Sequence, residues 1–137
     1  MPHSPVILFI DENAGDREYY TYPLHMSSSD FVVLHAASGV AGLTRCNDQP
    51  IDCVILEIDL PDMSGFEILA KLVPRPSHPK IAVIVLTRLP NQFLLEVALK
   101  NGAQAAFRKT RALRDILDTT ILTAIANVQK DRKQAVA

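Results

Sequence analysis

Asp52-Cys53-Val54-Ile55-Leu56-Glu57-Ile58-Asp59-Leu60-Pro61-Asp62-Met63-Ser64-Gly65-Phe66-Glu67 is the stretch on which the fold turns. Its first part is apolar on consecutive positions, as a strand covered on both faces must be. Two carboxylates follow at Glu57 and Asp59, and then Ser64-Gly65-Phe66-Glu67, which has the form of a capping box. Ile68, Leu69, Leu72 and Val73 continue at helical spacing. A buried strand that passes through acidic residues into a helix is half of a βαβ unit.

The same order recurs outward from this segment. Strands are expected at Val6 to Ile10, Phe31 to His35, Cys53 to Ile58, Ile81 to Leu86 and, more weakly, Ala105 to Phe107, with helical stretches between them. Five such alternations predict an α/β domain with a parallel sheet and helices on both faces. Pro90 suits the first turn of one helix and Asn101-Gly102 its C-terminal stop. Leu113, Ile116, Leu117, Ile121, Ala124, Ile125 and Val128 predict a final amphipathic helix of about five turns. Pro23 is expected to stop or kink the first helix around Tyr22, and Pro74, Pro76 and Pro79 to stiffen the loop before the fourth strand.

The length, 137 residues, fits one domain, with a core from about residue 5 to 128 and a tail or linker helix over 129–137. A composition of 48% hydrophobic and 21% charged residues excludes a disordered chain. Fourteen Lys and Arg against fifteen Asp and Glu give a net charge of −1, which removes the simple electrostatic case for direct nucleic-acid binding. The balance is uneven along the chain: residues 1–99 carry −6 and residues 100–137 carry +5. A solvated helix face and a partner-binding face are the two readings of that basic end. Cys46 and Cys53 lack metal or disulfide-framework spacing, and His3, His25, His35 and His78 are dispersed. The first apolar run, Val6 to Ile10, is too short for a signal sequence or a membrane span, so a cytoplasmic protein is expected.

In an open parallel sheet, reactive groups collect beyond the carboxyl ends of the strands. Asp11-Glu12, Glu57, Asp59, Thr87-Arg88 and Arg108-Lys109-Thr110 fall there. Crowded carboxylates call for a divalent, oxygen-loving cation such as Mg2+. Thr87 and Lys109 add the hydroxyl and the positive charge that an anionic phosphoryl group requires. There is no glycine-rich phosphate loop, so nucleotide is not expected.

Four segments in this order give the chain its resemblance to a known family: Ile7-Leu8-Phe9-Ile10-Asp11-Glu12, residues 52 to 67, Ile84-Val85-Leu86-Thr87, and Gly102-Ala103 leading to Lys109. From about Val6 to Val128 it resembles the CheY-like receiver domain of two-component response regulators. The resemblance implies a flavodoxin-like (βα)5 three-layer sandwich with strand order 2-1-3-4-5. It further implies Mg2+ at Asp11, Glu12, residue 57 and the backbone of Asp59, a histidine kinase as phosphodonor, and phosphoryl contacts from Thr87 and Lys109.

Four positions depart from the family pattern. Glu57 stands where the acceptor aspartate belongs, one methylene too long for a reaction that loses about 10²-fold for a 1 Å misplacement. Arg88 replaces a small residue, where its guanidinium is free to cover the mouth or pair with Glu57; a solvated loop arginine is the plainer alternative. Ala106 replaces the switch aromatic, and Phe107 is expected to face the core. Thr110 replaces a proline that follows a cis bond; non-proline cis costs about 2.5–4 kcal/mol, so a trans, remodelled loop with Lys109 displaced is expected, Thr110 otherwise serving as a helix N-cap.

The resulting expectation is a non-enzymatic phosphorelay receiver that works by protein contacts, without conventional aspartyl phosphorylation. Its implied partners are a histidine kinase, an output domain in the same or a larger chain, or a second copy through the last two helices and the fifth strand. The alternatives are a receiver phosphorylated on Glu57 or Asp59, and a small Mg2+-dependent phosphohydrolase.

Overall fold

The computed structural model describes residues 4–27 and 30–136. His3 lies outside them. Five strands, β1 (Val6–Ile10), β2 (Val32–Ala36), β3 (Cys53–Leu56), β4 (Ala82–Thr87) and β5 (Ala105–Arg108), form one parallel sheet in the order β2-β1-β3-β4-β5. The helices are α1 (Ala14–His25), α2 (Gly39–Asp48), α3 (Gly65–Leu72), α4 (Gln92–Lys100) and α5 (Leu117–Val136).

The uninterrupted apolar runs are explained by two cores, one on each face. Ile7, Phe9, Ile55, Ile84 and Leu86 point to one side and meet Tyr20 and Leu24 of α1 and Leu117, Ile121, Ala124 and Val128 of α5. Leu8, Ile10, Val54, Leu56, Val83 and Val85 point to the other and meet Ile68 and Leu69 of α3, Ala98 of α4 and, at its margin, Leu43 and Cys46 of α2. Alternate residues of a strand face opposite ways, so a strand buried on both faces must be apolar throughout. Phe107 packs on the first core, as expected.

Three helix expectations need correction. α1 continues past Tyr22 to His25 with Pro23 inside it. A proline so near the end removes only one late intrahelical bond, and the Met26 N–H closes the last turn on Pro23 O at 3.1 Å. Pro90 precedes the cap rather than occupying the first turn: Asn91 is the N-cap and its side chain accepts the Phe93 N–H. The final segment is not one continuous helix. A 3-10 turn, Ala112–Asp115, precedes α5, its N-cap position is Arg111 without a side-chain bond, and Thr110 caps nothing. The Thr119 and Thr120 hydroxyls both donate to Ile116 O, which places the α-helical start there.

Ser64 caps α3 as expected, its Oγ accepting the Phe66 N–H at 3.1 Å, while the Gly65 N–H donates to Ile58 O at 2.8 Å. A Cβ on Gly65 would stand 2.5 Å from Glu57 O and 2.6 Å from Ile58 Cα, both backbone atoms that cannot swing away. Gly102, at φ +100°, ends α4 in the left-handed conformation expected of a helix stop.

Gly65→Ala should therefore lower stability by about 1–3 kcal/mol, as overpacking against fixed atoms does. Gly15→Ala, whose Cβ meets only the side-chain atom Asn13 Oδ1 at 3.2 Å, should cost less, because a side chain can shift where backbone cannot. Urea denaturation of the two variants checks the contrast.

Candidate functional site

The sheet's own ladder carries the site residues to one edge. The Asp11 N–H donates to Ala36 O (3.0 Å), the Glu57 N–H to Ile10 O (3.0 Å), and the Lys109 N–H to Thr87 O (2.8 Å). The chain goes from β1 outward to β2 and returns on the other side of β1 to β3, so a crevice opens between the ends of β1 and β3. A cleft of about 380 Å³ lies there, lined by Asp11, Glu12, Asn13, Glu57, Asp59, Arg88 and Lys109.

Lys109 is the centre of the cleft. Its Nζ lies 2.7 Å from Asp11 Oδ2, 2.7 Å from Asp16 Oδ2 and 3.3 Å from Glu57 Oε1, and its side chain is 8% exposed. Burial pushes the ammonium down, but the bonds to Asp11 and Asp16 and the Glu57 charge outweigh it and hold Lys109 above its ordinary value. Burial raises the Asp11 carboxyl above the usual carboxylate range, against the opposing pull of Lys109 and of the Asn13 N–H, which donates to Oδ1 at 2.9 Å. The Arg17 guanidinium donates to the Asp11 carbonyl.

Glu57 is buried and its carboxylate is bonded by backbone N–H groups. Oε2 accepts the Ile58 N–H (2.7 Å) and the Asp59 N–H (3.2 Å), and Oε1 accepts the Arg88 N–H (3.1 Å) besides facing Lys109. The Arg88 guanidinium does not pair with Glu57; of Arg88, only the backbone N–H reaches that carboxylate. Its guanidinium pairs with the Asp59 carboxylate at the exposed rim instead. Thr87 is fully buried beneath the cleft; its hydroxyl accepts the Leu89 N–H at 3.1 Å, and among the described residues it makes no bond to Glu57.

The connection after Lys109 is trans as expected, but the expected displacement of the lysine does not occur. No peptide bond among the described residues is cis, and Lys109 lines the cleft. Tyr20 donates to Thr110 O at 3.0 Å and Tyr19 to Arg111 O at 3.5 Å, so α1 holds the loop that follows the lysine. Arg114 lies over the Tyr19 ring, 4.6 Å from its centroid. Ala106 and Thr110 face away into a second groove of about 490 Å³, bounded by Gln92 and Leu95 of α4, by Phe107 and Arg108, and by Ala112, Leu113 and Ile116.

Asp16, which the strand ends do not single out, also belongs to the cleft. The signal available was its spacing: three residues after the N-cap Asn13, it falls in the first turn of α1, next to the end of β1. Asp62 accepts the Gly39 and Val40 N–H groups, each at 2.8 Å. These two backbone donors hold its carboxyl below the usual range, and they make it a cap for α2 supplied from the β3–α3 loop.

The donors do not fit a divalent ion. Both oxygens of Asp11 and both of Glu57 are turned to N–H or ammonium donors, Asp59 is turned to Arg88, and Glu12 stands exposed at the rim. Among the described residues no group of three His, Cys, Asp or Glu is arranged to hold a metal. No helix among them is long and apolar enough to cross a membrane.

Residues 7–121 match the family model of the response regulator receiver domain, and the chain belongs to that family. It is 30% identical over 114 residues to a protein-glutamate methylesterase/protein-glutamine glutaminase of Rhodopseudomonas palustris, covering 83% of this chain and 30% of that protein. It is 25% identical over 118 residues to the response regulator protein VraR of Staphylococcus aureus, covering 86% of this chain and 56% of VraR. The chain thus spans about half or less of these curated relatives. Among solved structures, a CheY-like receiver domain from Methanospirillum hungatei superimposes with a TM-score of 0.77 at 24% identity, over 94% of this chain and 99% of that one. The fold is the five-stranded CheY-like sandwich.

Tyr20→Phe should cost about 0.5–1.5 kcal/mol, the usual net worth of one hydrogen bond, and Arg88→Ala less than about 1 kcal/mol because its ion pair is exposed; urea denaturation measures both. The stability owed to the raised Lys109 value is fully present below 10.5, the ordinary lysine value, and is lost as pH climbs through the higher folded value. The difference in Tm between the wild-type chain and Lys109→Met should therefore hold steady up to that pH and shrink above it.

Proposed function

We propose that this chain is an atypical receiver that signals by protein contacts in two-component transduction, is not an enzyme, and does not accept a phosphoryl group at Glu57. The observation that carries this reading is the engagement of the Glu57 carboxylate by three backbone N–H groups and one ammonium. An in-line nucleophile needs a free lone pair and a placement good to within about 1 Å. Glu57 has neither advantage: its extra methylene lets it fold back on its own loop.

Its fixed negative charge next to Lys109 stands in part for a phosphoaspartate, which carries about −1.5 to −2. Thr87 and Lys109 occupy the positions of the family's phosphoryl contacts. Asp11 and Glu12 occupy those of its acidic pair, and Asp59 the place whose backbone serves a metal there. The domain core is residues 5–128, and its working surface is α4, β5 and α5. The groove beside Ala106 supports that choice, as do Leu99 and Ile116, each 49% exposed. The partner is a histidine kinase, an output domain or a second copy. The methylesterase activity named for the Rhodopseudomonas relative is not carried over, since the match covers 30% of that protein.

Incubation with Mg2+ and a small acyl phosphate, followed by intact mass, tests the reading. The expected result is an unchanged mass; a stable gain of one phosphate on Glu57 or Asp59 would overturn it. In parallel, Glu57→Gln should weaken partner binding or self-association by removing the charge, whereas unchanged affinity would reduce Glu57 to a silent replacement.

A further inference from the structure

Three carboxylates converge on one point in this cleft, and an ammonium already occupies that point. Asp11, Asp16 and Glu57 each place an oxygen within 3.3 Å of Lys109 Nζ. Their remaining bonds are equally specific: Asp11 takes the Asn13 N–H, and Glu57 takes three backbone N–H groups. A second cation, Arg88, closes the outer lip on Asp59.

The ammonium is positioned from two directions. On the strand side its own N–H is tied to Thr87 O. On the helix side, Asp16, Tyr19 and Tyr20 sit three and four residues apart on one face of α1. Asp16 holds the Lys109 side chain, and the two tyrosine hydroxyls hold the carbonyls of the next two residues, Thr110 and Arg111. An arm held this way has little freedom to swing out.

Mg2+ demands near-octahedral oxygen ligands at about 2.0–2.1 Å and dehydrates reluctantly. To enter, it would have to compete with the ammonium for Asp11, Asp16 and Glu57, and would stand beside that ammonium as a doubly charged neighbour. We infer that Lys109, clamped by Asp16, is the resident cation of this cleft, and that the domain keeps its site ordered without a divalent metal. Asp16 acts here as a positioning residue for Lys109. The inference concerns the same cleft as the proposed function but does not require Glu57 to be inert.

The test is direct binding of Mn2+ to the full chain, read by the loss of the free-ion electron paramagnetic resonance signal, with no phosphodonor present. The wild-type chain should bind more weakly than about 1 mM. Lys109→Met should bind Mn2+ about tenfold tighter or more, and its Tm should rise on adding Mg2+ while that of the wild-type chain stays unchanged. If Lys109→Met does not fold, Asp16→Asn decides: it keeps every candidate metal ligand, alters a partly exposed side chain, and should also gain affinity because the lysine is then held by two carboxylates. Submillimolar Mn2+ binding by the wild-type chain, or no gain in either variant, overturns the inference. Because no phosphoryl group is offered, either failure leaves the phosphotransfer reading to its own experiment.

Discussion

One buried ammonium makes the carboxyl edge of this sheet possible. β1 and β3 are neighbours with Ile10 opposite Leu56, so the next residues, Asp11 and Glu57, emerge side by side, and the first turn of α1 adds Asp16. Like charges gathered in a half-dry cleft repel, and burial alone already pushes the Asp11 carboxyl upward. Lys109 offsets this at a distance where attraction is strong and solvent screening weak. Removing one member of a buried ion pair costs about 3–5 kcal/mol, because the partners stay behind uncompensated. The positions of β5, of the loop after it and of the α1 tyrosines all serve to keep that nitrogen where it is.

The methylene that distinguishes Glu57 from aspartate has a structural consequence beyond reach. It lets the carboxylate bend back so that Oε2 accepts from the two residues that follow it, while Oε1 takes the Arg88 N–H across from β4. The side chain thereby ties β3 to its own outgoing loop and to the end of β4. The same loop is held from the helix side by the Gly65 N–H on Ile58 O, at a closeness that admits no Cβ on residue 65. Position 57 is thus a fixed anion that belongs to the loop's hydrogen bonding as much as to the cleft.

Most of the fold was legible because its strands are buried on both faces and its helices on one, a difference that shows directly in apolar spacing. The cleft was legible to the extent that strand ends determine it: Asp11, Glu12, Glu57, Asp59, Arg88 and Lys109 do line it. What escaped depends on side-chain direction and on competing donors. Thr87 turns its hydroxyl to Leu89, Arg88 sends its guanidinium to Asp59 and only its backbone to Glu57, and Asp16 reaches the cleft from a helix rather than a strand. Helix ends escaped for a similar reason. Whether Pro23, Pro90 or Thr110 begins or ends a helix depends on which neighbouring carbonyl or side chain satisfies the terminal groups, and that is decided by tertiary contacts.

On the proposed reading, the arrangement also bears on how the cleft communicates with the α4–β5 groove. A relay through this sheet edge needs a hydroxyl free to move and a ring free to follow it. Here the Thr87 hydroxyl is engaged by Leu89, and Ala106 has no ring to turn. An equilibrium shifts only as far as a ligand distinguishes its two states, and a cleft whose donors and acceptors are already matched offers little for a phosphoryl group to distinguish. On that reading the charge that bears on the groove is the permanent one of Glu57 and not that of a phosphoryl group added there. The groove's occupancy follows the concentration and charge of the partner, which meets a segment from residue 100 onward carrying +5 while the rest of the chain carries −6.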